Sequence, residues 1–201
     1  MKKHINNTKL IQMLMKKNDG YITTKELTEI GIHRMYLSAM LEKGIIEKLA
    51  NGIYIDKNTI EDVYYTFQLK YSKTIFSGMT ALYFHGLTEV YPNKFDVTID
   101  NNYHVETINK NHNVIKCRKE TINIGVTNVK TPMEHNVRAY DPERCICDII
   151  KYRKKLDFEQ VKKSVKMYLK SKYRNLDKLA EYSKKLNVYD EVMGFVGMYY
   201  E

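Results

Sequence analysis

The chain has 201 residues, 43% hydrophobic and 28% charged, with a formal net charge of +9 and a pI near 9.2. A chain of this length buries roughly 70% of its unfolded surface and needs no staple to fold, and no apolar stretch approaches the length needed to cross a bilayer. Cys117, Cys145 and Cys147 are odd in number, and no basic segment leads into an apolar one at the start. These features point to a reduced, cytoplasmic protein without a disulfide framework.

The charge is unevenly spread. Residues 1–58 carry 10 basic and 6 acidic groups, residues 59–150 carry 10 and 11, and residues 151–201 carry 13 and 7. A neutral middle between two basic ends suggests contact with a polyanion at one end or both.

Leu10, Ile11, Leu14 and Met15 recur at helical spacing and stop near Asn18-Asp19-Gly20, predicting a first helix. Thr23 stands three residues before Glu26, the capping-box pattern that starts a second, short helix with Leu27 and Ile30 inward. Gly31 turns the chain, and Leu37, Met40 and Leu41 mark the buried face of a third helix, His33 to Lys43, stopped by Gly44. Ile45, Ile46 and Leu49, then Ile53 and Ile55, flank Asn51-Gly52 and predict a hairpin with a type I′ turn. Helix, helix, turn, helix and hairpin in that order make a winged helix-turn-helix.

Past Asp56, residues 59–69 read as a helix with Ile60, Val63, Tyr64 and Phe67 on one face. Short strands are expected at 75–76, 95–99, 114–116, 122–126 and 137–138, with a helix at 80–85 closed by Gly86. Asp141-Pro142 begins another helix, with an acid at the N-cap and proline at the first position. Helices follow at 157–171, 176–185 and 189–199. The fold class is therefore α+β: an amino-terminal winged helix-turn-helix over 1–58, then a mixed α/β domain over 59–201 that ends in a helical segment.

In a winged helix, residues near the start of the third helix reach base edges while flanking elements hold phosphates. His33, Arg34, Tyr36 and Ser38 lie off the buried face and are candidates for bases. Thr23, Thr24 and Lys25 at a helix start, with Lys48 and Asn51 on the wing, are candidates for phosphates. On the helix after Asp157, Phe158, Val161, Val165 and Tyr168 are expected inward. That leaves Lys162, Lys163, Lys166 and Lys170 outward as a solvated face or a second anion-binding surface.

Catalytic and metal signals are weak. Asp96 and Asp100 share a strand face, but nucleotidyltransferase-like sites want two acids two residues apart beside a Gly-Ser turn. Cys145-Ile146-Cys147 is too tight for a zinc half-site, so no metal and no cofactor are expected. Arg144 and Asp148, four apart on one helix, are suited to a salt bridge.

Three segments in order, "EKGIIEKLANGIYI", "FSGMTALYFHGL" and "YDPERCICDII", resemble the AbiEi family, the antitoxin half of the AbiE abortive-infection systems of bacteria. They are similar to that family's G-x-Y wing end, its S-x-x-[SA]-A-L-x-x-H-G-L helix and its D-x-E-R-x-x-x-D helix. The resemblance implies a non-enzymatic antitoxin of type IV that also represses its own promoter by binding inverted repeats in double-stranded DNA. It implies a nucleotidyltransferase-like toxin as the functional partner, opposed without a stable complex, and no membrane association. Ser77, His85, Glu143, Arg144 and Asp148 match the family's recurrent positions and are the candidates for antitoxin activity. The alternative is a nucleotidyltransferase-like or nuclease-like enzyme fused to a DNA-binding domain.

Overall fold

The computed structural model describes residues 7–103 and 106–199. The chain divides into two compact units, Met1–Ser72 and Lys73–Glu201.

The first unit runs α1 (Asn7–Lys17), β1 (Tyr21–Thr23), α2 (Thr24–Glu29), α3 (Met35–Glu42), β2 (Ile46–Ala50), β3 (Ile53–Asp56) and α4 (Val63–Lys70). Its strands form an antiparallel sheet in the order β1-β3-β2. The helical spacing seen in the sequence becomes a core: Ile11 and Met15 from α1, Leu27 from α2, Leu37 and Met40 from α3 meet Ile46 of β2. Each fully buried aliphatic side chain of this kind stabilises the fold by about 1.5–3 kcal/mol.

One strand was not expected, and three local expectations are corrected. The strand β1 has no sequence signal of its own, being three residues long, and forms because Tyr21, Ile22 and Thr23 pair with β3. Ile30 is 49% exposed, because α2 ends before it; Ile32, 7% exposed, packs in its stead after Gly31 turns the chain at φ +73°. In the hairpin only Gly52 has positive φ, so the turn is not the type I′ expected; a bulge between Lys48 and Ala50 accompanies it. Finally, α4 begins at Val63 because the Asp62 carboxylate accepts from the backbone N–H of Tyr64 and Tyr65, which leaves Ile60 and Val63 exposed. The unit boundary falls after Ser72 rather than after residue 58. The Tyr21 hydroxyl accepts from Asp62 N at 2.7 Å, and the Tyr21 and Tyr65 rings meet edge to face.

The second unit contains β4 (Ile75–Phe76), α5 (Gly78–Phe84), β5 (Asp96–Asp100), α6 (Glu106–Asn111), β6 (Asn113–Cys117), α7 (Lys119–Ile122), β7 (Val126–Lys130), β8 (Asn136–Tyr140), α8 (Pro142–Lys151), α9 (Phe158–Lys170), α10 (Leu176–Lys185) and α11 (Tyr189–Gly197). Its mixed sheet has the order β6-β5-β4-β8-β7. The strand expected at 122–126 is instead the end of α7 and a turn. Gly125 sits at φ +79°, and a Cβ there would meet Arg144 Cβ at 2.6 Å, so β7 starts only after it. The helix α6 lacks an apolar period beyond Ile108 and was not expected.

Helix α8 is the centre of this unit, buried from Glu143 to Ile150. It packs on α5, α9, α10 and α11. A helix buried on every side needs its polar groups paired, and this requirement decides how the acids and bases of "DPERCICD" are used. On α9, Val161, Val165 and Tyr168 are buried as expected, whereas Phe158 is 49% exposed.

Candidate nucleic-acid interface

In the first unit the outward face of α3 presents Arg34, Met35 and Ser38, with His33 just ahead of it. Arg34 is exposed and has no ion pair among the described residues. His33 accepts a hydrogen bond at Nδ1 from Met35 N, 3.2 Å away, which leaves Nε2 as the protonated donor of the neutral ring. Met35 is 62% exposed. It was not among the candidates, yet the helical period that turns Leu37 and Met40 inward turns Met35 outward. An exposed apolar side chain beside Arg34 and Ser38 suits a thymine methyl next to hydrogen-bonding base edges.

Tyr36 is placed differently from expectation. It is half-buried and packs against the core cluster, since its position on α3 lies next to the Leu37 and Met40 face. The helix-start site at Thr23 and Thr24 is also largely closed. The Thr23 hydroxyl accepts from Glu26 N and donates to Glu26 Oε2, while Glu26 Oε2 also accepts from Thr23 N. Thr24 N donates to Gly52 O at 2.9 Å, which ties the hairpin tip to the start of α2. Of this trio only the Lys25 side chain reaches out, 85% exposed and 3.9 Å from Glu29. Lys48 and Asn51 are exposed on β2 and the hairpin tip.

The second unit treats its candidates in the opposite way. Ser77 is fully buried at the start of α5, and its hydroxyl has no hydrogen-bond partner among the described residues. His85 closes α5, and its Nε2 lies 2.8 Å from Tyr140 O. Glu143 Oε1 accepts from the Tyr168 hydroxyl and from Asn175 N, while Oε2 lies 3.4 Å from Lys178 Nζ. Arg144 is 3% exposed: Nε donates to both oxygens of Asp148 at 3.1 Å, one terminal nitrogen donates to Thr121 O and Ile124 O, and the guanidinium lies 4.2 Å over the Tyr140 ring. Burial alone would lower the Arg144 pKa, but Asp148 holds it above the usual arginine value. Burial likewise pushes the Cys147 thiol up to about 12, which keeps it protonated.

Asp96 and Asp100 do not converge. Asp96 supplies the cap that the N-cap residue Ser77 does not give α5: its Oδ2 accepts from Met79 N at 2.8 Å. Asp100 sits at the far end of β5, where it accepts from Asn102 N. On α9, Lys162 pairs with Glu159 at 2.8 Å and Lys163 lies 3.9 Å from Glu89, whereas Lys166 and Lys170 are exposed without ion pairs among the described residues. Among the described residues no His, Cys, Asp or Glu cluster could hold a metal, and no helix is long and apolar enough to cross a membrane.

Comparison with known proteins bears on the two units unequally. A search of curated proteins finds no match. Among solved structures, the RV2827C protein from Mycobacterium tuberculosis is similar over 96% of this chain and 82% of its own, with a TM-score of 0.51 at 13% identity. That likeness concerns the fold alone. The profile of a family described as "Transcriptional regulator, AbiEi antitoxin" matches residues 9–55, the segment from α1 through β3. Over residues 9–55, then, this chain is similar to the AbiEi antitoxin family of transcriptional regulators.

Proposed function

We propose that this chain is a transcriptional autorepressor and type IV antitoxin of a phage-defence system, acting in the cytoplasm. Its amino-terminal unit is a winged helix in which α3 enters the major groove of promoter DNA at inverted repeats. The order α1-β1-α2-α3-β2-β3 with a β1-β3-β2 sheet supports that reading. The single observation that carries it is the outward face of α3: Arg34, Met35 and Ser38 stand clear of the core on a helix whose other face is locked by Leu37 and Met40. His33, Lys25, Lys48 and Asn51 supply further polar and basic groups around it. On α9 a second phosphate contact rests on Lys166 and Lys170.

The remainder of the chain, which carries Ser77, His85, Glu143, Arg144 and Asp148, opposes a nucleotidyltransferase-like toxin without a stable complex and without chemistry of its own. These five residues hold the fold through which the unit acts. An electrophoretic shift assay with the DNA upstream of its own gene tests the repressor half. The expected result is a shift that survives excess unrelated DNA, and a shift removed equally by any DNA of the same length would overturn it. Co-expression with a neighbouring toxin gene tests the antitoxin half, with restored growth expected.

A further inference from the structure

The sheet of the second unit ends at β6, and among the described residues no strand pairs with its outer side. The hydrogen bonds to β5 decide which backbone groups that leaves over. Asn113 N donates to Phe95 O and Cys117 O accepts from Asn101 N, so Asn113, Ile115 and Cys117 turn their backbone groups toward β5. In a parallel ladder alternate residues face alternate sides, so Val114 and Lys116 turn their N–H and C=O groups outward along an open edge. An edge of this kind is a template for another strand.

Side chains alternate as well. Asn113, Ile115 and Cys117 share one face, and Cys117 Sγ lies 3.7 Å from the Arg144 guanidinium, so this face looks toward α8. Val114 and Lys116 point to the other. A cavity of about 550 Å³ lies between the first face and the end of α8, with Ile149, Tyr152 and Leu156 in its lining. Val114 and Lys116 line it too although their side chains point away, so the cavity reaches the open flank of the strand. Its acids are already engaged, Asp96 with Asn113 and Met79 N, Asp148 with Arg144.

The charge along this edge has one sign. Residues 110–119 contain Lys110, Lys116, Arg118 and Lys119 and no acid. Lys116, Arg118 and Lys119 are exposed and have no ion pair among the described residues. A second copy pairing antiparallel about Ile115 would set these cations against the same set, whereas a strand carrying carboxylates would meet them with opposite charge.

We propose that the β6 edge binds an extended segment of a partner protein, added as a further strand, whose residues alternate between apolar and acidic. The apolar ones stand on the face of Asn113 and Ile115 and enter the cavity beside Tyr152, and the acidic ones stand on the face of Lys116. Backbone bonds to Val114 and Lys116 supply affinity, and the alternation supplies selectivity. The surface is separate from the DNA-binding reading of α3, so either can fail without the other.

Isothermal titration of the full chain with blocked hexapeptides tests it. Alternating Val and Glu should saturate one site at least tenfold more tightly than alternating Val and Lys. Val114→Pro removes an outward N–H and no bond to β5, and should weaken the glutamate peptide at least tenfold. Lys116→Glu should remove the preference between the two peptides, while Lys130→Glu on β7, the opposite edge, should leave it unchanged. Four results would overturn the proposal: no saturable binding of the glutamate peptide, equal affinity for the lysine peptide, binding unchanged in both β6 variants, or a loss in Lys130→Glu rather than Lys116→Glu. A dimer of the chain alone in sedimentation, dissociated by Val114→Pro, would give the edge to a second copy and overturn it as well.

Discussion

Two arginines show how differently the two units use charge. Arg34 stands exposed at the start of α3 with no ion pair among the described residues, whereas Arg144 is 3% exposed, with Asp148, two backbone carbonyls and a tyrosine ring around it. A charge left in water is available to a ligand, and one taken out of water must be spent on its surroundings. In the second unit the polar side chains of the conspicuous "DPERCICD" motif are turned inward and paired with neighbours of the same unit. The quiet stretch around Arg34 is where recognition can occur.

The largest expected effect tests the buried side of that contrast. Arg144→Ala leaves Asp148 charged and unpaired, and should lower unfolding stability by about 3–5 kcal/mol in a urea titration. Survival of the variant at wild-type stability would show that the guanidinium is not needed by the fold and reopen a functional role for it. Next comes Thr23→Ala, which removes the α2 cap and should cost about 0.5–2 kcal/mol. The DNA affinity of the folded variant should stay at the wild-type level. A loss of affinity without loss of stability would return Thr23 to the list of phosphate contacts.

On α9, Lys166→Ala with Lys170→Ala should reduce the slope of log affinity against log salt by about 2 if both meet phosphates. An unchanged slope assigns the face to solvent. The smallest effect concerns Asp96. Burial raises its pKa in the folded state, so its contribution to stability is fully present below the unfolded carboxyl pKa and is lost as pH rises through the folded value. Asp96→Asn should therefore flatten the decline in stability just above pH 4, measured by thermal unfolding across that range. A decline as steep as the wild type's would assign it to another group.

Much of the first unit was legible because its signals are local. Helical spacing located Leu37 and Met40, and the Thr23-to-Glu26 spacing located a capping box that the structure reproduces with both hydrogen bonds. The same locality misled where tertiary pairing decides. Strand β1 exists only because β3 lies beside it, and the hairpin turn took a bulge in place of a second positive φ. Spacing alone also could not tell that Tyr36 packs on the core.

In the second unit, the i, i+4 spacing of Arg144 and Asp148 announced an ion pair but not its burial. A cavity in this unit lined by Asp96, Asn113 and Asp148 was illegible for a different reason: these residues are far apart in sequence and come together only through the fold of the unit. The nucleotidyltransferase-like alternative rested on Asp96, which caps α5 from across the sheet and does not pair with Asp100.

The most direct test of the central claim is the affinity of wild-type and Arg34→Ala protein for the DNA upstream of its own gene, measured beside unrelated DNA of equal length. Arg34→Ala should lose about 1–3 kcal/mol on the specific site, bind unrelated DNA nearly as before, and unfold within about 0.5 kcal/mol of the wild type. Unchanged affinity and sequence preference in that variant would contradict the placement of α3 in the groove.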